Sequence, residues 1–267
     1  MGIINSKENK NYKLCQQLAS KKYRDQLGLY LIEGPNLLKE ALENQAEIQL
    51  VLLCDAKEGT LRHEWMLRHE PMLPEGKTYH MEEKLFEKLA QTETSQGVLA
   101  VVQKPDMTRP EILDRMFSPG ANLVVLDRLQ DPGNIGTIIR TADGAGYQGV
   151  VVIKGTGDVY SPKVIRAAAG SVFRMPVLFL ESPAQAMNIL KEHGKRIVTT
   201  SLDAEVRYFD IELKENIGLI IGNEGNGVCL ELKDGSDVKI KIPMTGKIES
   251  LNAAVAAGIV MYEAMRK

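Results

Sequence analysis

What this sequence is short of removes several kinds of protein at once. Its 267 residues hold only three cysteines, Cys15, Cys54 and Cys229, far apart and in unrelated contexts. No CxxC pair and no Cys/His cluster offers a zinc site, and nothing suggests a disulfide framework. The histidines His63, His69, His80 and His193 are scattered and receive no catalytic role. No acidic metal-ligand motif is present, so no metal is expected. A long uncharged apolar run and a signal-peptide core are both missing, which predicts a cytoplasmic protein. An excess of either charge sign is missing as well, with 33 Lys and Arg against 35 Asp and Glu. A formal net charge of -2 argues against wholesale coating by nucleic acid, while leaving room for a local basic patch.

The common nucleotide and hydrolase signatures are absent too. No GxGxxG follows an opening strand. Gly246-Lys247 is not a phosphate loop, because Ile248 stands where Ser or Thr is needed and no glycine sits at the required upstream position. Neither HExxH nor GxSxG occurs. Dehydrogenase, NTPase and hydrolase readings all lose support.

What is present is an ordinary globular balance, with 44% hydrophobic and 25% charged residues. The opening stretch is basic: Lys7, Lys10, Lys13, Lys21, Lys22 and Arg24 are opposed only by Glu8 and Asp25. Strands are expected at 29–32, 48–53 and 97–102, with a helix started by Pro35 and another near 82–89. These form a small α/β domain over residues 1–104. Pro105, Pro110, Pro119 and Gly120 punctuate a linker over 105–119. From 120 to 267, continuous apolar strands alternate with helices, which predicts a mostly parallel sheet covered on both faces. Ligands on such sheets collect at the C-terminal strand ends.

Three polar, glycine-rich islands follow strands there. The first is Asp131-Pro132-Gly133-Asn134-Ile135-Gly136, with Arg140 beyond. The second is Gly222-Asn223-Glu224-Gly225-Asn226-Gly227, and the third runs from Ile242-Pro243-Met244 to Ser250-Leu251-Asn252. Singly, each also reads as a turn or a helix cap: Asn134 or Ser250 would cap a helix, and Arg140 would sit in a surface ion pair. The second island is the most informative, since three glycines let a backbone approach a ligand while Glu224 and two asparagines supply directional polar groups.

In order and spacing, Asn134-x-Gly136-x-x-x-Arg140, Ile221-Gly222-Asn223-Glu224-Gly225, and Ile242-Pro243-Met244 with Ser250-Leu251-Asn252-Ala253-Ala254 resemble the three motifs of the SpoU (TrmH-like) branch of the SPOUT RNA methyltransferases. Leu31-Ile32-Glu33-Gly34-Pro35 and Thr92 to Ala100 resemble the ribosomal-protein-L30e-like substrate-binding domain often fused ahead of it. The resemblance implies an α/β fold with a deep trefoil knot in a parallel-sheet C-terminal domain. It implies S-adenosylmethionine-dependent methylation of a ribose 2'-hydroxyl, on ribosomal RNA in preference to tRNA, by a homodimer. Carried onto this chain, it brings Arg140 to the 2'-hydroxyl and a target phosphate, as an unusual base or as an electrostatic activator, with Asn134, Glu224, Ser250 and Asn252 positioning it and the ribose, and Glu224 paired with Arg140. Thr200, Ser201, Gly222, Asn223, Gly225, Ile242, Met244 and Leu251 would hold the cofactor. Lys21, Lys22, Arg24, Lys163 and Arg166 are the candidate RNA contacts. The alternatives are a non-catalytic RNA-binding assembly factor that retains the fold, and a doubly wound nucleotide enzyme without the knot.

Overall fold

In the computed structural model, which describes residues 2–54 and 72–266, the chain divides into two compact units. One is Met1–Pro105 with Tyr160–Ile165, and the other is Asp106–Val159 with Arg166–Lys267. His63 and His69 lie outside the described residues.

The first unit carries strands β1 (Gly2–Ile4), β2 (Leu29–Glu33), β3 (Ile48–Cys54), β4 (Thr78–Met81) and β5 (Val98–Gln103), ordered β1-β4-β3-β5-β2 in a mixed sheet. Its helices are α1 (Lys10–Gln17), α2 (Lys21–Leu27), α3 (Pro35–Glu43) and α4 (Glu83–Phe86). Tyr12, Cys15 and Leu18 recur at helical spacing and bury against Leu31, Leu50, Leu52, Leu99 and Val101 of the sheet. The lysines of the basic opening are thereby left on the outer side. Arg24 departs from them. It is 4% exposed, and its Nη1 donates to the carbonyls of Leu18 (2.6 Å) and Ala19 (2.8 Å). These are orphan acceptors at the end of α1, so Arg24 caps a helix instead of facing an RNA.

The second unit follows with α5 (Pro110–Met116), β6 (Leu123–Asp127), α6 (Pro132–Gly144), β7 (Gly149–Ile153), α7 (Pro162–Ala168, whose first residues group with the other unit), β8 (Val177–Leu180), α8 (Pro183–Glu192), β9 (Arg196–Thr200), β10 (Val206–Arg207), β11 (Ile217–Gly222), α9 (Leu230–Gly235), β12 (Val238–Lys241) and α10 (Ala253–Glu263). Residues 105–119, read as a linker, contain α5. Its Met116 and the following Phe117 are buried in this unit's core, so apolar side chains at the end of the proline-punctuated stretch hold it to the sheet.

The sheet has seven strands in the order β10-β12-β9-β11-β6-β7-β8, and every pairing is parallel. β6, β7 and β11 are buried at every position, which is why they read as continuous apolar runs and not as alternating ones. On one face Leu123, Val125, Val151, Ile153, Ile197 and Ile220 pack on Ala186, Met187, Leu190 and Leu232 of α8 and α9. α6 and α10 pack together and touch β7 and β11. Each fully buried aliphatic side chain contributes about 1.5–3 kcal/mol. Strand order also gathers the loops. β12, β9, β11 and β6 are neighbours and parallel, so the segments leaving Lys241, Thr200, Gly222 and Asp127 emerge along one edge.

Candidate active site

The first island is built by its cap. Asp131, not Asn134, is the N-cap of α6: its side chain accepts the N–H of Asn134 (2.8 Å), and Pro132 takes the first turn. This frees the Asn134 side chain, 7% exposed, for a different task. Its Nδ2 donates to Glu224 Oε1 (3.1 Å), and its Oδ1 accepts from Asn252 Nδ2 (2.8 Å). Asn252 in turn caps α10, its Oδ1 accepting the N–H groups of Ala254 (2.9 Å) and Val255 (3.2 Å). One chain of amides therefore runs from the carboxylate of the second island, through the first, to the helix that follows the third. Every donor and acceptor in it has a fixed sense, set at one end by a carboxylate that only accepts and at the other by N–H groups that only donate.

Glu224 is the anchor of this chain. Its two carboxylate oxygens also accept from the backbone N–H groups of Asp131 (3.0 Å) and Gln130 (3.1 Å). Burial alone would raise its pKa, but the hydrogen bonds from Asn134, Asp131 and Gln130 outweigh that and hold it below the ordinary value. The group thus stays ionised through the neutral range, and the network loosens only when pH falls below the usual carboxylate range.

The second island closes on itself. Asn223 and Gly227 exchange both backbone hydrogen bonds (3.1 and 2.9 Å), and Asn223 Oδ1 accepts from the N–H groups of Gly225 and Asn226 (both 3.0 Å). Asn223 Nδ2 donates to the Arg128 carbonyl (2.8 Å), tying the loop to the exit of β6. The third island is different. From Ile242 to Leu251 there is no helix or strand and, among the described residues, no backbone-to-backbone hydrogen bond. Ile242, Met244 and Leu251 are half-buried along it.

Not every expected residue enters this cluster. Arg140 lies on α6, exposed, and the expected pairing with Glu224 is not formed. The helix explains this: six residues carry Arg140 about 9 Å along the axis from Asn134 and about 120° around it. Ser250 is exposed and is not the cap of the last helix, which begins three residues later than its position at Ala253. Thr200 Oγ1 donates to the Ile220 carbonyl (3.2 Å). The Ser201 N–H donates to Ile240 O (2.9 Å) and its hydroxyl to Asp203, so neither of those Ser201 groups is unspent. Lys21 pairs with Asp25 (2.5 Å), Lys22 lies over the Tyr23 ring (6.0 Å), and Lys163 and Arg166 are exposed on α7. Among the described residues no group of side chains could hold a metal ion, and no helix is long and apolar enough to cross a membrane.

A family model described as the SpoU rRNA Methylase family matches residues 121–262, and a second, the MRM3-like substrate binding domain, matches residues 9–100. The chain is 35% identical over 268 residues to the 23S rRNA (guanosine(2553)-2'-O)-methyltransferase RlmP of Bacillus subtilis, covering 98% of each chain. Among solved structures, the SpoU methyltransferase AviRb from Streptomyces viridochromogenes in complex with the cofactor AdoMet superposes with a TM-score of 0.84. It is 30% identical and covers 96% of this chain and 97% of that one. The AdoMet-bound rRNA methyltransferase from Sinorhizobium meliloti gives a TM-score of 0.83 at 29% identity, covering 98% of this chain and 96% of that one. A family match over 121–262, a relative similar from end to end, and the same α/β architecture place one conclusion beyond the three islands taken alone: this chain belongs to the SpoU rRNA methylase family.

Proposed function

We propose that this chain transfers the methyl group of S-adenosylmethionine to a ribose 2'-hydroxyl in ribosomal RNA. One observation carries the reading. The three polar loops, far apart in sequence, are joined at one sheet edge by the Glu224–Asn134–Asn252 hydrogen bonds, and the helix so anchored displays Arg140. The full-length relative is named for a guanosine of 23S rRNA, which makes a guanosine of the large-subunit RNA the candidate target.

The residues of the third island suit the cofactor. Among the described residues, backbone N–H and C=O groups from Ile242 to Leu251 are not consumed by other backbone, and the half-buried Ile242, Met244 and Leu251 offer an apolar wall. An adenine ring needs both, polar groups at its edge and apolar contact on its faces. Gly222, Asn223 and Gly225 would border the same site with Thr200 and Ser201. When bound, S-adenosylmethionine supplies an electrophilic methyl on a sulfonium, for which no metal is required.

The protein's own share is placement and charge. Arg140 would bind the phosphate beside the target nucleotide and lower the cost of developing negative charge on the 2'-oxygen; a guanidinium, a fork of N–H donors with no acceptor, suits this better than proton removal. Asn134, Glu224 and Asn252 would fix the loop to which the ribose docks, with Ser250 within the same turn. Residues 1–104 would grip structured RNA, with Lys21 and Lys22 on α2, and Lys163 and Arg166 on α7, as phosphate contacts. In this reading the loops after β9, β11 and β12 form the trefoil knot, and the protein works in the cytoplasm.

Mapping ribose methylation across ribosomal RNA with and without the gene tests the proposal. A single large-subunit guanosine should lose its 2'-O-methyl group. Unchanged rRNA with cofactor binding intact would point to a binding factor, and loss of a tRNA methylation would move the substrate.

A two-fold dimer belongs to the same reading. The last helix, α10, is apolar all round, yet Val255 and Tyr262, two turns apart on one stripe, are each 51% exposed, as is Met265 just beyond at 54%. A second copy would cover them. Val255→Glu with Tyr262→Glu should convert a dimer to a monomer in sedimentation; an unshifted mass would place the interface elsewhere.

A further inference from the structure

The loop leaving β6 begins with two unfavourable choices side by side. Asp127 is a carboxylate with 0% exposure. Arg128 bears a full side chain at φ 58°, where only glycine sits without strain. An uncharged residue followed by glycine would turn the same corner with neither cost. The two are coupled: Arg128 Nε donates to Asp127 Oδ1 (2.8 Å) and Nη2 to Oδ2 (3.1 Å), so each makes the other tolerable.

What the pair achieves is visible in its remaining bonds. Asp127 Oδ2 accepts the N–H of Cys229 (2.7 Å), just past the end of the second island. The left-handed turn aims the Arg128 carbonyl at the start of that island, where Asn223 Nδ2 donates to it (2.8 Å), and Gln130 Nε2 donates to it as well (2.9 Å). The Arg128 N–H donates to Thr156 Oγ1 (3.0 Å), which fixes the turn from the neighbouring loop. One dipeptide thus fastens both ends of the loop that carries Glu224, whose carboxylate then meets Gln130, Asp131 and Asn134.

We propose that Asp127 and Arg128 are positioning residues for methyl transfer, locking the Gly222–Val228 loop in the register that brings Glu224 to Asn134. They act through that loop and need touch neither cofactor nor RNA. The inference rests on the proposed function, in which Glu224 and Asn134 belong to the transfer site.

The test uses the full chain and four variants: Asp127→Asn, Arg128→Gly, the two combined, and Asn134→Ala as a reference for the site. Glycine accepts φ 58° without strain, so Arg128→Gly removes the guanidinium and leaves the turn free to move. Single-turnover transfer, KM for rRNA, cofactor Kd and melting temperature are measured on each. Each single variant should lower kcat by roughly 10- to 100-fold, the scale of a small misplacement of reacting groups, with KM for RNA changed less than threefold. The double variant should lose no more than the worse single one, because both act through one linkage. Wild-type kcat in folded variants, with only a lowered melting temperature, would reduce the pair to a fold-stabilising role and overturn the proposal; so would losses that multiply. If Asp127→Asn fails to fold, the double variant, neutral and unstrained, carries the same comparison. Full turnover by Asn134→Ala would sink the site reading instead, a result distinct from normal kcat in the Asp127 and Arg128 variants alone.

Discussion

Arg140→Ala is expected to lower methyl transfer by ~100-fold or more while S-adenosylmethionine still binds. The geometry makes this a clean experiment. Arg140 is exposed and, among the described residues, makes no hydrogen bond or ion pair, so its guanidinium is held for nothing inside the protein. Removing an exposed, unpaired side chain from a helix changes stability by no more than about 0.5 kcal/mol. The melting temperature should therefore stay where it is, and a loss of activity cannot be blamed on unfolding. Arg140→Lys separates two ways of using the charge. Lysine keeps the point charge but not the planar fork, so partial activity indicates field stabilisation and near-complete loss indicates a bidentate grip on phosphate. Transfer of a labelled methyl group to ribosomal RNA, with calorimetric cofactor binding beside it, reads both. Turnover near the wild-type rate would sink the assignment.

The contrast between Arg140 and Glu224 also shows how far the sequence could be read. Helix and strand periodicity reached the parallel sheet, because β6, β7 and β11 are buried on both faces and so print as unbroken apolar runs. It missed β4, β8 and the two-residue β10, whose burial is partial and whose residues alternate weakly. The islands were legible as a set, since a turn alone does not need glycines, asparagines and a carboxylate together. Their internal wiring was not. Which of Asp131, Asn134, Ser250 and Asn252 caps a helix depends on where each helix begins, and a shift of two or three residues moves an amide from capping its own helix to bridging two loops. Asn134 and Asn252 differ in just this way: Asp131 relieves Asn134 of the cap, whereas Asn252 caps α10 and reaches Asn134 as well. Arg24 escaped for a similar reason. A cation amid lysines reads as surface charge, and only the turn between α1 and α2 brings two unpaired carbonyls within its reach. Asp127 and Arg128 gave no signal at all, because neither a left-handed φ nor a buried carboxylate leaves a mark in residue spacing.

Gly222→Ala should produce the opposite pattern from Arg140→Ala, with cofactor binding itself lost. Gly222 ends β11, and a Cβ there would lie 2.2 Å from the Gly227 carbonyl carbon and 2.2 Å from the Val228 nitrogen. Both are backbone atoms, so no rotamer change relieves the clash; the loop must lift by more than about 1 Å to reach an ordinary contact of about 3.5 Å. That movement opens the paired Asn223–Gly227 hydrogen bonds and draws Asn223 away from the Arg128 carbonyl and Glu224 away from Asn134. Overpacking costs about 1–3 kcal/mol, and each hydrogen bond opened adds about 1 kcal/mol. A sum of about 5–7 kcal/mol lowers the melting temperature by roughly 10–25 °C, so the binding measurement is made at a temperature where circular dichroism shows the variant folded. Calorimetry should then find S-adenosylmethionine affinity reduced by at least ~30-fold, the equivalent of about 2 kcal/mol of loop distortion expressed at the site. Gly225→Ala provides the comparison for stability, since a Cβ there sits 3.6 Å from Asn223 Oδ1 in ordinary contact, and its melting temperature should stay near the wild-type value. Wild-type cofactor affinity in a folded Gly222→Ala protein would mean that the second island does not border the cofactor. The chemistry of transfer would then have to be assigned to the first and third islands without it.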